Sequence, residues 1–216
     1  MSEHPLLVMG NKNYSSWSLR AWLFLRHSGV DFRELRLPLD TPEFAERIGA
    51  LSPTGRVPVL HHDGLVVWDS LAICEYTSET FLDGRGWPGT RRARAEARSA
   101  SAEMHSGFAA LRQHLPMNCR RHLPGYPVAQ AAASDISRVQ SLWRQLREAH
   151  GGPFLCGGFG IVDAMYAPVA LRFAGYDVAL EPVARDYVDT LLALPALQTW
   201  IADARAETEV VAADEV

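Results

Sequence analysis

Four short stretches of the chain carry residue types that could do chemistry. Asn13-Tyr14-Ser15-Ser16-Trp17-Ser18-Leu19-Arg20 places hydroxyls where an apolar strand signal gives way to a helix signal. A helix start presents free N–H groups and partial positive charge, so a serine there can hydrogen-bond an anion and help hold a thiolate ionised. Serines in this position are also good helix caps. Arg56-Val57-Pro58 opens a strand signal at a proline preceded by a β-branched residue, a candidate cis bond. A cis proline would turn the Val57 N–H and C=O outward to pair with an extended peptide; otherwise Pro58 is an ordinary edge-strand proline. Trp68-Asp69-Ser70 opens a second helix signal. There the Ser70 hydroxyl and N–H could hold a carboxylate and Asp69 an ammonium, the two charges of an α-amino acid, or Asp69 could simply cap the helix. In Phe159-Gly160-Ile161-Val162-Asp163-Ala164, Asp163 follows a candidate N-cap by three residues and reads as an acid that bonds back to the start of its own helix.

The elements that must position these residues differ between the two halves of the chain. In the first half, Leu6-Leu7-Val8-Met9 is a short apolar run ended by Gly10, a buried-strand signal. A helix pattern follows over 17–27, a strand over 32–37 and a short helix over 42–48. Two strands, 57–60 and 65–68, flank a loop over 61–64, and a helix begins at Asp69-Ser70. The order is βαβ, a short helix, then ββα. Residues 83–90, with three Gly and one Pro, have a linker composition. Beyond them the chain reads as almost wholly helical. One long amphipathic face runs from Ala93 through Met104 and Phe108 to Leu115. Further helices are expected over 127–150, after Gly160, over 182–194 and over 195–206, with 207–216 as a frayed tail. We therefore expect domains over 1–82 and 91–216 joined by a linker at 83–90.

Composition narrows the function classes. With 216 residues, 21 Lys+Arg against 25 Asp+Glu and a net charge of −4, the chain has no basic surplus for nucleic acid. No apolar run approaches the ~20 residues of a membrane span, and the N-terminal residues do not read as a signal peptide. Cys74, Cys119 and Cys156 are widely separated, as expected of reduced thiols in a cytoplasmic protein. The eight His residues show no metal-ligand spacing, so no metal is expected. Arg85, Arg91, Arg92, Arg94 and Arg98 read as a solvated helix face or linker.

The four motifs in this order, on a βαβ–α–ββα half followed by a helical half, resemble the cytosolic glutathione transferases. The resemblance spans residues 5–206, and Ser15-Ser16-Trp17-Ser18-Leu19-Arg20 resembles the Ser-Ser-Cys-x-x-Arg motif of the zeta class. It implies a thioredoxin-like N-terminal domain, an all-helical C-terminal domain, a homodimer, and glutathione as co-substrate. By position, Ser15 is the hydroxyl expected to bond the glutathione sulfur. Ser16 is the second candidate and otherwise a plain cap. Val57, before cis Pro58, would pair its backbone with the cysteinyl part. Asp69 and Ser70 would hold the γ-glutamyl end, Arg56 the glycyl carboxylate, and Asp163 would cap the family's central helix. Three positions depart from the family: Trp17 replaces the zeta Cys, Asp69 the commoner Glu or Gln, and Gly160 the usual Ser or Thr. The implied activity is conjugation of the glutathione thiolate to a small hydrophobic electrophile. Alternatives are glutathione-dependent cis–trans isomerisation of the maleylacetoacetate type and a non-catalytic glutathione-binding module. The electrophile is expected between the loop at 12–14 and the helices holding Met104, Phe108 and Met117. Arg172 and Arg120-Arg121 are the cations available for an acidic substrate.

Overall fold

In the computed structural model, which describes residues 4–216, the first half forms a four-stranded mixed sheet. Strand β1 (Leu6–Met9) leads into helix α1 (Ser16–His27), then β2 (Arg33–Arg36), α2 (Pro42–Leu51), the hairpin β3 (Val59–His62) and β4 (Leu65–Trp68), and α3 (Ser70–Leu82). The sheet order is β2-β1-β3-β4, with β2 parallel to β1 and the other pairs antiparallel. Alternation along the strands separates two apolar layers. Leu7, Met9 and Leu60 join α1, α3 and the helical half in one large core, while Val8 and Val59 meet Leu37 and Ile48 beneath α2.

The helical half comprises α4 (Arg91–Ser106), α5 (Ala109–His114), α6 (Gln130–His150), α7 (Ile161–Gly175), α8 (Pro182–Leu192) and α9 (Pro195–Ala206). Helix α7 is apolar all round and almost entirely buried, as a central helix must be. It packs against α1, α3, α4 and α8. Among the described residues no helix is long and apolar enough to cross a membrane.

Several expectations need correction. The long helical face over 93–115 is two helices. Phe108 adopts a left-handed conformation (φ 54°), and a Cβ on Gly107 would lie 2.7 Å from the Glu103 carbonyl oxygen. Periodicity carries across such a break because Met104, Phe108 and Leu111 are all buried on either side of it. The β3–β4 loop is only Asp63-Gly64, both at positive φ, as a tight hairpin turn requires. His61 and His62 therefore belong to β3, where they bond the Leu51 carbonyl and the Tyr76 hydroxyl, each at 2.8 Å. The strand expected from Val57 starts after Pro58, at Val59. Helix α6 begins at Gln130 rather than 127. The tail is not frayed: Val211 is buried, and the carboxylates of Glu207, Glu209 and Glu215 all bond to the body of the protein.

Two local arrangements settle how the helices begin. Ser15, not Ser16, caps α1: its Oγ accepts the Ser18 N–H at 3.4 Å. It also shares a 2.7 Å hydroxyl pair with Ser18, whose Oγ accepts the Gly10 N–H at 3.1 Å. Ser16 is the first helical residue, so removing its hydroxyl removes no cap. At α7, Asp163 reaches back to the Gly160 N–H (2.9 Å), as its spacing implied, and also accepts from Leu155 N–H (3.0 Å) and the Tyr187 hydroxyl (2.9 Å). Burial nevertheless raises its carboxyl to about 6.

Ser15→Ala is expected to lower unfolding free energy by about 1 kcal/mol and Ser16→Ala by clearly less, as urea denaturation would show. Asp163→Asn cannot accept three donors and should cost about 2–3 kcal/mol. Between its ordinary value of 3.8 and about 6, folded Asp163 binds a proton that the unfolded chain has released. Its contribution therefore makes stability fall as pH rises through that window. The asparagine variant should lack that slope when unfolding is measured at a series of pH values.

Candidate active site

The α1 N-terminus, the segment before β3, and the β4–α3 junction converge at one end of the sheet, where residues of α4, α5 and α7 join them. Two adjoining cavities lie there. The larger, of about 520 Å³, is lined by Tyr14, Ser15, Ser16, Trp17, Leu39, Phe44, Gly55, Arg56, Val57, Arg112, Met117, Arg172 and Asp214. The smaller, of about 350 Å³, is lined by Trp17, Thr54, Arg56, Val57, Pro58, Trp68, Asp69, Ser70, His105 and Arg112. Trp17, Arg56, Val57 and Arg112 belong to both, so the two form one cleft. All seven residues singled out for the site in the sequence, Ser15, Ser16, Arg56, Val57, Pro58, Asp69 and Ser70, lie on its walls. The Val57–Pro58 bond is cis, as the motif order led us to expect.

At the smaller end, Asp69 caps α3 through Oδ1, which accepts the N–H groups of Leu71 (2.9 Å) and Ala72 (3.3 Å). Its backbone has φ 75°, a sparsely populated conformation for a non-glycine residue, and the cap helps to hold it there. Oδ2 accepts from His105 Nε2 at 2.5 Å, a link from the helical half that the sequence did not reveal. Ser70 is 1% exposed, and its hydroxyl has no hydrogen-bond partner in the protein. A buried hydroxyl left unpaired costs free energy unless something else bonds it. At this end a spare donor thus adjoins a carboxylate that keeps lone-pair capacity on Oδ2.

The larger end is positive. Arg172 is held by the carbonyls of Leu115 (2.7 Å) and Pro168 (3.2 Å), and donates to Ser16 Oγ at 3.4 Å. Arg20, fully buried on α1, donates from Nε to the Met165 carbonyl at 3.0 Å, and both its terminal nitrogens lack hydrogen-bond partners among the described residues. Burial, together with repulsion from Arg172 and Arg112, lowers Arg20 to about 9, and burial lowers Arg172 to about 10. Both stay protonated at neutral pH. The Trp17 ring lies 4.1 Å from the Arg20 guanidinium and 5.3 Å from that of Arg112, so an aromatic face separates two cations.

Some expected neighbours lie elsewhere. Lys12 faces away, paired with Asp203 (2.7 Å) and Glu34 (3.0 Å). Met104 is fully buried in the core and Phe108 is not on the cleft wall; of the helix residues expected there, Met117 alone lines it. Arg120 bonds the Tyr14 hydroxyl and tail carbonyls, and Arg121 pairs with Glu215, so of the arginines named as available Arg172 alone reaches the cleft. Arg112, His105 and Asp214 were missed. Arg112 takes its direction from the Phe108 break, His105 is an exposed-face position on α4 in the sequence pattern, and Asp214 lies in a tail that carries no periodic signal. The thiols are not activated: burial raises all three, Cys119 and Cys156 to about 12.

Comparison with known proteins agrees with this architecture. Residues 14–80 match the family model described as Glutathione S-transferase, N-terminal domain. Over 203 residues the chain is 27% identical to the probable maleylacetoacetate isomerase of Caenorhabditis elegans, covering 90% of this chain and 92% of the relative. It is 29% identical over 201 residues to glutathione S-transferase 1 of Dianthus caryophyllus, covering 88% and 89%. A Burkholderia glutathione transferase homologue solved with bound glutathione superposes with a TM-score of 0.71 at 24% identity, covering 95% of this chain and 100% of that one. With a thioredoxin-like N-terminal domain and a helical C-terminal part, the chain has the glutathione S-transferase fold; residues 14–80 match that family's N-terminal domain, and relatives at 27–29% identity run along nearly its whole length.

Proposed function

We propose that this protein is a serine-type glutathione transferase, and that glutathione lies along the cleft with its γ-glutamyl end at Ser70 and its sulfur at the start of α1. The observation that carries the reading is the unpartnered Ser70 hydroxyl, buried on the cleft wall beside the Asp69 carboxylate. An α-carboxylate would receive the Ser70 hydroxyl, and the adjoining ammonium would donate to Asp69 Oδ2. Val57 would pair its backbone with the cysteinyl unit, and Arg56 would meet the glycyl carboxylate. The second substrate would enter the larger end, between Tyr14, Phe44 and Met117. The family resemblance supports a homodimer.

The chemistry needs a thiolate. A free thiol has a pKa near 8.5, and lowering it by about two units requires about 2.7 kcal/mol. One charge-assisted hydrogen bond (about 1.5–3 kcal/mol) and a helix N-terminus (about 0.3–1 kcal/mol) supply that much. Hydroxyl protons can rotate. Ser15 donates to Ser18 Oγ at 2.7 Å, so rotating its hydroxyl from Ser18 to the sulfur would supply the bond while its lone pairs keep the cap. The Arg172 and Arg20 charges add to the same stabilisation. The thiolate then attacks the electrophilic carbon, a C–S bond forms, and the bond to the leaving group breaks with its electron pair.

Glutathione-dependent isomerisation is the second reading, supported by Arg112 and Arg172, which give the larger end cations for an acidic substrate. Trp17 in place of the zeta cysteine counts against it. Isomerisation leaves glutathione unconsumed, whereas conjugation removes one thiol per turnover, so thiol titration during turnover separates the two.

Ser70→Ala should weaken glutathione binding about ten- to a hundred-fold by calorimetry, because a carboxylate loses a charge-assisted donor. Asp69→Asn should weaken it less, since the amide oxygen can still accept. Ser15→Ala should lower kcat near neutral pH while leaving the glutathione KM nearly unchanged, the mark of an interaction made with the thiolate. Unchanged binding in both Asp69→Asn and Ser70→Ala would place the γ-glutamyl end elsewhere.

A further inference from the structure

We infer that Asp214, carried into the cleft by the C-terminal tail, is a specificity-determining residue that disfavours negatively charged electrophiles. The inference rests on the glutathione transferase reading of the same cleft.

The tail is fixed on both sides of Asp214. The Glu207 carboxylate accepts the backbone N–H groups of Lys12 (2.8 Å) and Asn13 (3.0 Å). Arg36 donates to Glu209 at 2.7 Å, and Arg120 donates to the carbonyls of Glu207 (2.7 Å) and Glu209 (3.0 Å). Beyond Asp214, Glu215 accepts from the Tyr14 hydroxyl (2.6 Å) and from Asn118 (2.9 Å) and pairs with Arg121. A single 3-10 turn, Ala212–Asp214, between these anchors brings Asp214 to the wall that also holds Ser15, Ser16 and Arg172.

The anchors leave the Asp214 carboxylate itself uncommitted: among the described residues no hydrogen bond or ion pair holds it. Its electrostatic partners are Arg172, which attracts it, and Asp40 and Glu215, which repel it. Among the described residues Asp214 is the sole acid on the larger cavity's wall, against Arg56, Arg112 and Arg172. Arg172 in turn has only oxygen dipoles as bonding partners, from Leu115, Pro168 and Ser16, and Asp214 supplies the counter-charge across the gap. An anionic group on the electrophile would have to displace that counter-charge or sit beside it. A neutral electrophile meets no such penalty. The γ-glutamyl end of glutathione, placed in the smaller cavity, is away from Asp214, while its sulfur at Ser15 shares the larger cavity with it.

A matched pair of electrophiles tests this: chlorodinitrobenzoate, an anion at neutral pH, and its uncharged methyl ester. With glutathione saturating, the acid-to-ester ratio of kcat/KM should rise about five- to thirty-fold in Asp214→Asn, the size expected for one charge acting across a partly solvated cleft. Asp214→Glu should keep the original ratio; any effect of Asp214→Asn on the thiolate is common to acid and ester and cancels in their ratio. Affinities of the two ready-made S-aryl-glutathione conjugates, read by tryptophan fluorescence, should show the same change in ratio without requiring turnover. If both conjugates bind and Asp214→Asn leaves their ratio unchanged, the inference is wrong while the glutathione reading stands. If the wild-type protein binds neither conjugate nor glutathione, the glutathione reading is wrong and the inference falls with it.

Discussion

The hydrogen-bonded knot at the start of α1 is the constraint on which the site depends. Ser15 caps the helix, Ser18 pairs with Ser15, and Ser18 also accepts the N–H of Gly10 at the end of β1. Strand end and helix start are thereby tied across one polar cluster. Helix α1 is then locked further along by burial against α3 and α7 and by the bond from Arg20 to the Met165 carbonyl. The direction in which the helix N-terminus faces is thus set by the core of both halves. A site built on such rigid elements holds its groups where chemistry needs them.

Charge organises the rest of the cleft. Arg20 and Arg172 are buried, which costs solvation, and the cost appears as their lowered pKa values of about 9 and about 10. Both remain cationic, so a buried positive field lies under the serines where a sulfur anion would rest. Trp17 fits this pattern better than the cysteine of the zeta motif would: its ring bridges the Arg20 and Arg112 guanidiniums and spaces them. Carboxylates enter the cleft at two places. Asp69 sits at the end suited to an ammonium, tied to His105, and Asp214 sits at the opposite end.

Much of the fold was legible in the sequence because it is locally encoded. Apolar periodicity marked the helices and strands, Pro and Gly marked their ends, and the spacing from Gly160 to Asp163 marked the α7 cap. Short polar clusters at element starts marked the cleft walls, since helix caps and strand entries are where a fold leaves backbone groups for a ligand. The features that escaped depend on contacts through space. The left-handed turn at Phe108 interrupts a helix without disturbing its apolar pattern, so it misdirected the expected pocket toward Met104. The tail looked unstructured because its hold comes from ion pairs with Arg36, Arg120 and Arg121, more than eighty residues away in each case. His105 reads as one more polar residue on α4 until Asp69 is seen 2.5 Å away.

The most direct measurement is the pKa of glutathione sulfur bound to the protein, followed by thiolate ultraviolet absorbance as pH is raised. The account predicts a bound sulfur about two units below the free thiol, moving back toward about 8.5 in Ser15→Ala and much less in Ser16→Ala. A bound sulfur that titrates like free glutathione, or one that Ser15→Ala leaves in place, would contradict it.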